Sequence, residues 1–109
     1  CEAVIDLGEL KEISFVVVNC LDRRSSWIWR PRSAEVLGSG DGQTWYSLKS
    51  TDNFEENKSG TGKGMMTLSF RKTFARYLKI GVKNWGPIPA GNPGAGNKAW
   101  LFVDEIEVN

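Results

Sequence analysis

The sequence predicts an all-β fold, an antiparallel β-sandwich or jelly roll. Three observations predict it: short runs rich in Val, Ile, Leu, Phe and Tyr recur along the chain, turn-forming residues separate them, and no stretch carries a helical apolar stripe. A βαβ architecture would need an amphipathic helix between strands, so the pattern excludes it. With 109 residues and 40% hydrophobic content, the chain can build one core and is too short for two. Residues 1–109 are therefore expected to form a single domain.

The first strand signals are AVIDL at 3–7 and EISFVVVNC at 12–20, and Gly8 between them suggests a hairpin. Such a hairpin would bring Cys1 and Cys20 together at its open end, where either a disulfide or two free, partly buried thiols would fit. SAEVLGS at 33–39 and TWYSLK at 44–49 flank Asp41-Gly42, a hairpin dipeptide because both residues tolerate positive φ. After a polar run at 50–64 comes MTLSFRK at 66–72. In RYLKIGVKN at 76–84, Leu78, Ile80 and Val82 share one face and Lys79 and Lys83 the other, so the apolar three should face the core. The closing run is WLFVDEIEV at 100–108, in which Trp100 shares parity with Phe102, Ile106 and Val108 and is expected inside.

Composition narrows function. The net charge is +1, from 14 basic and 13 acidic residues, which argues against a phosphate-tracking nucleic-acid surface. No apolar run reaches the roughly 18–20 residues that span a bilayer, and CEAVIDLGEL lacks the basic-then-apolar pattern of a leader. Histidine is absent, which removes the Ser-His-Asp triad, the Cys-His pair and the HExxH zinc site. Two cysteines cannot supply a four-sulfur zinc site. Asp104, Glu105 and Glu107 do not converge across a cleft, because on a strand Glu105 and Glu107 share a face and Asp104 points away. An enzyme is not expected.

Two glycine motifs fail on context. Gly94 to Ala99 matches GxGxxA, but a strand follows it where the dinucleotide fingerprint needs a helix. Ser59 to Gly64 approaches a P-loop, yet Asn57 stands where the first Gly belongs and Gly64 replaces the Ser or Thr. There remains GPIPAGNPGAGNKAW at 86–100, a loop so long that it should be either functional or disordered.

The five tryptophans divide by position. Trp45 follows a turn and begins a strand, as a core anchor would. In extended backbone Trp27 and Trp29 would project from one face about 6.6 Å apart, as a ring platform or as a plug closing one end of the core. Trp85 sits where a strand gives way to the long loop and should be partly exposed. Arg23, Arg24, Asn84, Asn92, Asn97 and Lys98 are either oriented donors for a polar ligand or ordinary solvated surface.

Taken in order, AVIDLGELKEISFVVVNC, RPRSAEVLGSGDGQTWYSL, ARYLKIGVKN and VDEIEV resemble the successive strands of the discoidin, or coagulation factor type C, family of galactose-binding-like jelly rolls. Pro31, Gly38, Ser39, Asp41, Gly42 and Trp45 carry the most specific block. SWIW with NPGAGNKAWLFVDEI is similar to the C-terminal module of bacterial chitobiase-like β-N-acetylhexosaminidases of glycoside hydrolase family 20. The resemblance implies a non-catalytic carbohydrate-binding module, part of a secreted, periplasmic or cell-surface glycoside hydrolase and held beside its catalytic domain. It would take an N-acetylhexosamine or galactose-type glycan through Trp27, Trp29, Trp85, Arg23, Arg24, Asn92 and Lys98. It further implies strands ahead of the one matched here and a calcium site to which Glu105 would contribute, although the other ligands are not in this segment. The alternative is a structural spacer, or a protein- or membrane-contact domain, on the same scaffold.

Overall fold

The computed structural model describes residues 2–56 and 62–109. Among them are the strands β1 (Glu2–Leu21), β2 (Ser33–Ser39), β3 (Tyr46–Thr51), β4 (Glu55–Glu56), β5 (Lys63–Lys83) and β6 (Val103–Val108), with a 3-10 turn at Arg24–Ser26. The pairings between these strands are antiparallel, in the order β3-β2-β5-β1-β6, with β4 against β5.

β1 and β5 form a long ribbon, paired from Glu2 opposite Gly81 to Leu21 opposite Lys63 with register slips between Asp6 and Lys11 and between Ile13 and Phe15. Each joins two of the expected strands. Gly8 does not turn a hairpin: it takes φ +87 within β1, where the register slips between Asp6 and Lys11, and its N–H donates to Asp6 Oδ1 at 2.8 Å. A slip with one left-handed residue bends a strand without ending it, and here both flanks find partners on β5. The open hairpin end that would have joined the thiols is therefore absent. Cys20 is a free, buried thiol, and Cys1 lies outside the described residues. The P-loop-like stretch likewise falls largely outside them.

The ribbon folds over itself. Val16, Val18, Cys20, Met66 and Leu68 from one half and Leu78, Ile80 and Val82 from the other share one buried cluster with Ala34 and Val36 of β2. The two halves thus make the two faces of a sandwich, and the alternation read in β5 points as expected. The β2–β3 connection is held by Asp41, whose Oδ1 accepts the N–H groups of Gln43 and Thr44, each at 2.8 Å, and the Ser39 hydroxyl at 3.0 Å.

Two tryptophans depart from expectation. Trp45 is half-buried outside the core, with Lys79 Nζ 4.4 Å from its ring centre; since Lys79 alternates with Leu78 and Ile80, both lie on the outer face of the sheet. Trp100 is 67% exposed and Phe102 50%. The cause is a bulge: Asn19 pairs with Glu105 and the next residue, Cys20, with Val103, leaving Asp104 as the extra residue. A bulge reverses parity, so Ile106 and Val108 face inward on one side of it and Leu101 and Val103 on the other, while Trp100 and Phe102 turn out.

Candidate ligand-binding lobe

At the Leu21 end of the ribbon, residues 22–32 and 84–102 fold together into a lobe. Backbone hydrogen bonds set short extended pieces side by side: Arg23 N–H to Ile28 O at 2.7 Å, Trp100 N–H to Trp27 O at 2.8 Å, Trp29 N–H to Trp100 O at 3.1 Å and Ala99 N–H to Gly86 O at 2.9 Å. Arg23 bridges Ile28, and Ile28 bridges Trp100, so these three lie in adjacent rows. Beneath them is a second core of Trp29, Ile88 and Ala99, with Trp85 packed against it.

That core orders the long loop. Asn84 fastens both ends, donating to Ala99 O at 2.8 Å and accepting from Gly86 N–H at 2.7 Å. Asn92 donates to Pro89 O at 3.2 Å and Asn97 to Gly94 O at 3.1 Å, so both amides bind the loop to itself. The loop is a folded wall rather than a loose tether.

Trp27 and Trp29 do not form a shared platform. Trp27 has φ 64 and ψ 15 as it closes the 3-10 turn, the only non-glycine at positive φ among the described residues. That conformation costs about 1–2 kcal/mol in a residue with a side chain and breaks the extended geometry the pairing required. Trp29 is 2% exposed, 5.3 Å from the Trp85 ring, with the Arg24 guanidinium 4.2 Å over it. It serves as core and offers no open face to a sugar. Trp85 is half-buried; the Arg32 guanidinium lies 4.9 Å from its ring centre and donates twice to its carbonyl, at 2.9 and 2.6 Å. Trp27 is 36% exposed and rests on Gly94.

The charges are arranged around one acid. Asp22 Oδ2 pairs with Arg30 at 2.7 Å, Asp22 Oδ1 lies 3.5 Å from Arg24 Nε, and Glu56 also pairs with Arg30. Burial opposes the Arg30 charge, but the hydrogen bonds and charges of Asp22 and Glu56 more than offset it and hold the guanidinium above its usual value. Arg23 and Lys98 are exposed and make no ion pair among the described residues. Asn84, Lys98, Ala99, Trp100 and Leu101 line an open cleft of about 290 Å³. Open depressions of about 360 and 390 Å³ elsewhere, lined by Ser33, Glu35, Ser50, Asp52 and Lys83 among others, contain no ring.

Of the residues singled out from sequence, the lobe gathers Arg23, Arg24, Trp27 and Lys98, makes Trp29 and Trp85 its support, and spends Asn92 on its own loop. Trp100 was missed, because the bulge that turns it outward leaves no mark in the alternation. Glu105 is exposed on β6, and among the described residues no group of three or more His, Cys, Asp or Glu gathers to hold a metal ion.

The sequence matches no family model and no curated protein. The structure does find likenesses. It covers 99% of this chain and 65% of a pectin binding carbohydrate binding module, at 19% identity and a TM-score of 0.59. The chain has the discoidin-like jelly-roll fold of carbohydrate-binding modules. The same fold is seen in the C-terminal domain of a chitobiase from Bacteroides fragilis, at 22% identity and a TM-score of 0.55, over 99% of this chain and 64% of that one. A module from Clostridium perfringens, solved in complex with GalNAc-β-1,3-galactose, matches at 22% identity and a TM-score of 0.54, over 94% and 63%. The chain thus spans a little under two thirds of these discoidin-like modules.

Proposed function

We propose that this discoidin-like domain is a non-catalytic glycan-binding module that takes an N-acetylhexosamine or galactose-type sugar at the loop end. One observation carries the reading: Trp100, 67% exposed, stands in the cleft that Lys98 and Asn84 also line. The axial C–H face of a pyranose packs on an indole while its hydroxyls take hydrogen bonds from fixed donors. Trp27, in the neighbouring row, extends the apolar surface. Arg23 and Arg24 supply further donors, whereas Trp29 and Trp85 act by holding the lobe rigid, which limits the ordering cost of binding.

A parent glycoside hydrolase of the chitobiase type, outside the cell, is the context we favour; the likeness to a chitobiase C-terminal domain supports it, as does the resemblance of SWIW and NPGAGNKAWLFVDEI. The competing reading is a spacer, favoured by the burial of Trp29. Titration with N-acetylglucosamine, galactose and chitobiose, followed by tryptophan fluorescence, separates the two. Binding at about millimolar strength, roughly −4 kcal/mol, that Trp100→Ala abolishes is the expected result. No response to any sugar leaves the spacer.

A further inference from the structure

We propose that the outer face of the sheet holding β2 and β3 carries a second glycan contact, a groove centred on Gly81 that takes the further units of a sugar chain anchored at Trp100. The inference rests on the glycan-binding reading and adds to it a site and a preferred chain length. Glu2, Gly81, Glu35 and Ser50 lie opposite one another across β1, β5, β2 and β3. Their neighbours Ile80, Val82, Ala34 and Val36 enter the core, so this row faces outward. Hollows of about 360 and 390 Å³ open on it and share Ser33 and Ser50, which makes them one groove. Glu35, Lys83 and Asp52 also line it, and none of the three makes an ion pair among the described residues.

Gly81 is the residue that points to a ligand. A glycine inside a strand weakens it, and the other strand glycines have reasons to be there. Gly8 has positive φ, and a Cβ at Gly38 or Gly64 would run into the ring of Tyr46 or Phe54. Gly81 has no positive φ, sits in unbroken register with both neighbouring strands, and would bring a Cβ no closer than 3.5 Å to the Glu35 side chain, an ordinary contact. Neither conformation nor packing demands it; its missing side chain keeps the floor of the groove open, as where a ligand approaches a strand closely. Around that floor Lys83 donates hydrogen bonds, Glu35 and Asp52 accept them, and Ser33 and Ser50 do both, which suits the hydroxyls of a sugar chain. The groove has no ring for stacking, and single hydrogen bonds contribute little net in water, so it acts on a chain already held at Trp100, for which the second contact is intramolecular. Lys83 in the groove is followed by Asn84 in the Trp100 cleft, about 3.8 Å along the backbone, so the two linings adjoin.

The test compares chitobiose with chitohexaose, and galactobiose with galactohexaose, on the whole domain by calorimetry. In the series the domain recognises, the hexaose should bind about tenfold more tightly than the disaccharide, the worth of one or two net hydrogen bonds. Glu35→Ala and Gly81→Val should each remove most of that gain and leave disaccharide binding unchanged. Gly81→Val should melt no lower than the parent, because the Cβ position is open and β-branched residues suit strands, so lost gain in that variant is not lost folding. The backbone amide signals of Gly81 and Ser50 should move with the hexaose and not with the disaccharide. Equal binding of the two lengths, or a gain that survives both substitutions, overturns the groove and leaves the glycan reading standing. Failure of all four sugars overturns both.

Discussion

Replacing Gly94 by Ala tests the packing on which the lobe depends. Gly94 has φ +77, and a Cβ built there would lie 2.4 Å from Cε2 and 2.6 Å from Nε1 of the Trp27 indole. Gly96, two residues on, has φ +88 and nothing within 4 Å of its Cβ position. Both substitutions force a side chain into left-handed backbone, at about 1–2 kcal/mol. Only Gly94→Ala also pushes on a ring, an overpacking cost of about 1–3 kcal/mol. Urea unfolding should therefore show Gly94→Ala less stable than Gly96→Ala by that second amount, about 4–8 °C in melting temperature per kcal/mol for a domain near this size. Acrylamide should quench more of the tryptophan emission in Gly94→Ala, because Trp27 is lifted off the loop. Equal stability and equal quenching in the two variants would refute the contact.

Other outcomes follow from the same geometry. Trp29→Ala should cost about 3–5 kcal/mol in denaturant because it empties the second core, while Trp100→Ala should stay within about 0.5 kcal/mol because its ring is already in water. In a Cys1→Ser background, the Cys20 thiol, which burial pushes up to about 11, should resist a thiol reagent at pH 8 until urea unfolds the domain. Since the unfolded thiol ionises near 8.5 and the folded one near 11, stability should fall as pH rises through that window, and Cys20→Ala should flatten the fall. The amides of Thr44 and Gln43, with the Ser39 hydroxyl, hold the Asp41 carboxyl below its usual range. Its contribution is present above pH ~4 and is lost as pH falls through the lower folded value, so Asp41→Asn should weaken the acid dependence of melting.

Where local signals agreed with tertiary demand, the sequence was readable. SAEVLGS became β2 with the expected bounds, Leu78, Ile80 and Val82 entered the core, and Asp41-Gly42 sits in the loop joining β2 to β3. The losses came from single backbone events. Gly8 at φ +87 has the same signature in a bent strand as in a hairpin, and only the long partner β5 decides between them. One inserted residue at Asp104 exchanged the faces of Trp100 and Leu101, hiding the exposed ring that the binding proposal now uses. A left-handed Trp27 was not foreseeable, because the conformation is strained for tryptophan and is held by the Arg24 carbonyl and the loop at Gly94. Trp45 shows that a tryptophan after a turn can cover the outside of a sheet when a lysine of β5 meets it.

The central claim is that an outward indole on a rigid lobe receives a sugar. Two-dimensional NMR resolves the indole N–H signals, and each can be assigned from its Trp→Phe variant. On adding chitobiose or galactose, the Trp100 and Trp27 signals should move and the Trp29 signal should stay, since its Nε1 is buried without a partner among the described residues. Unmoved signals throughout, or shifts confined to Trp45 on the outer sheet face, would contradict it.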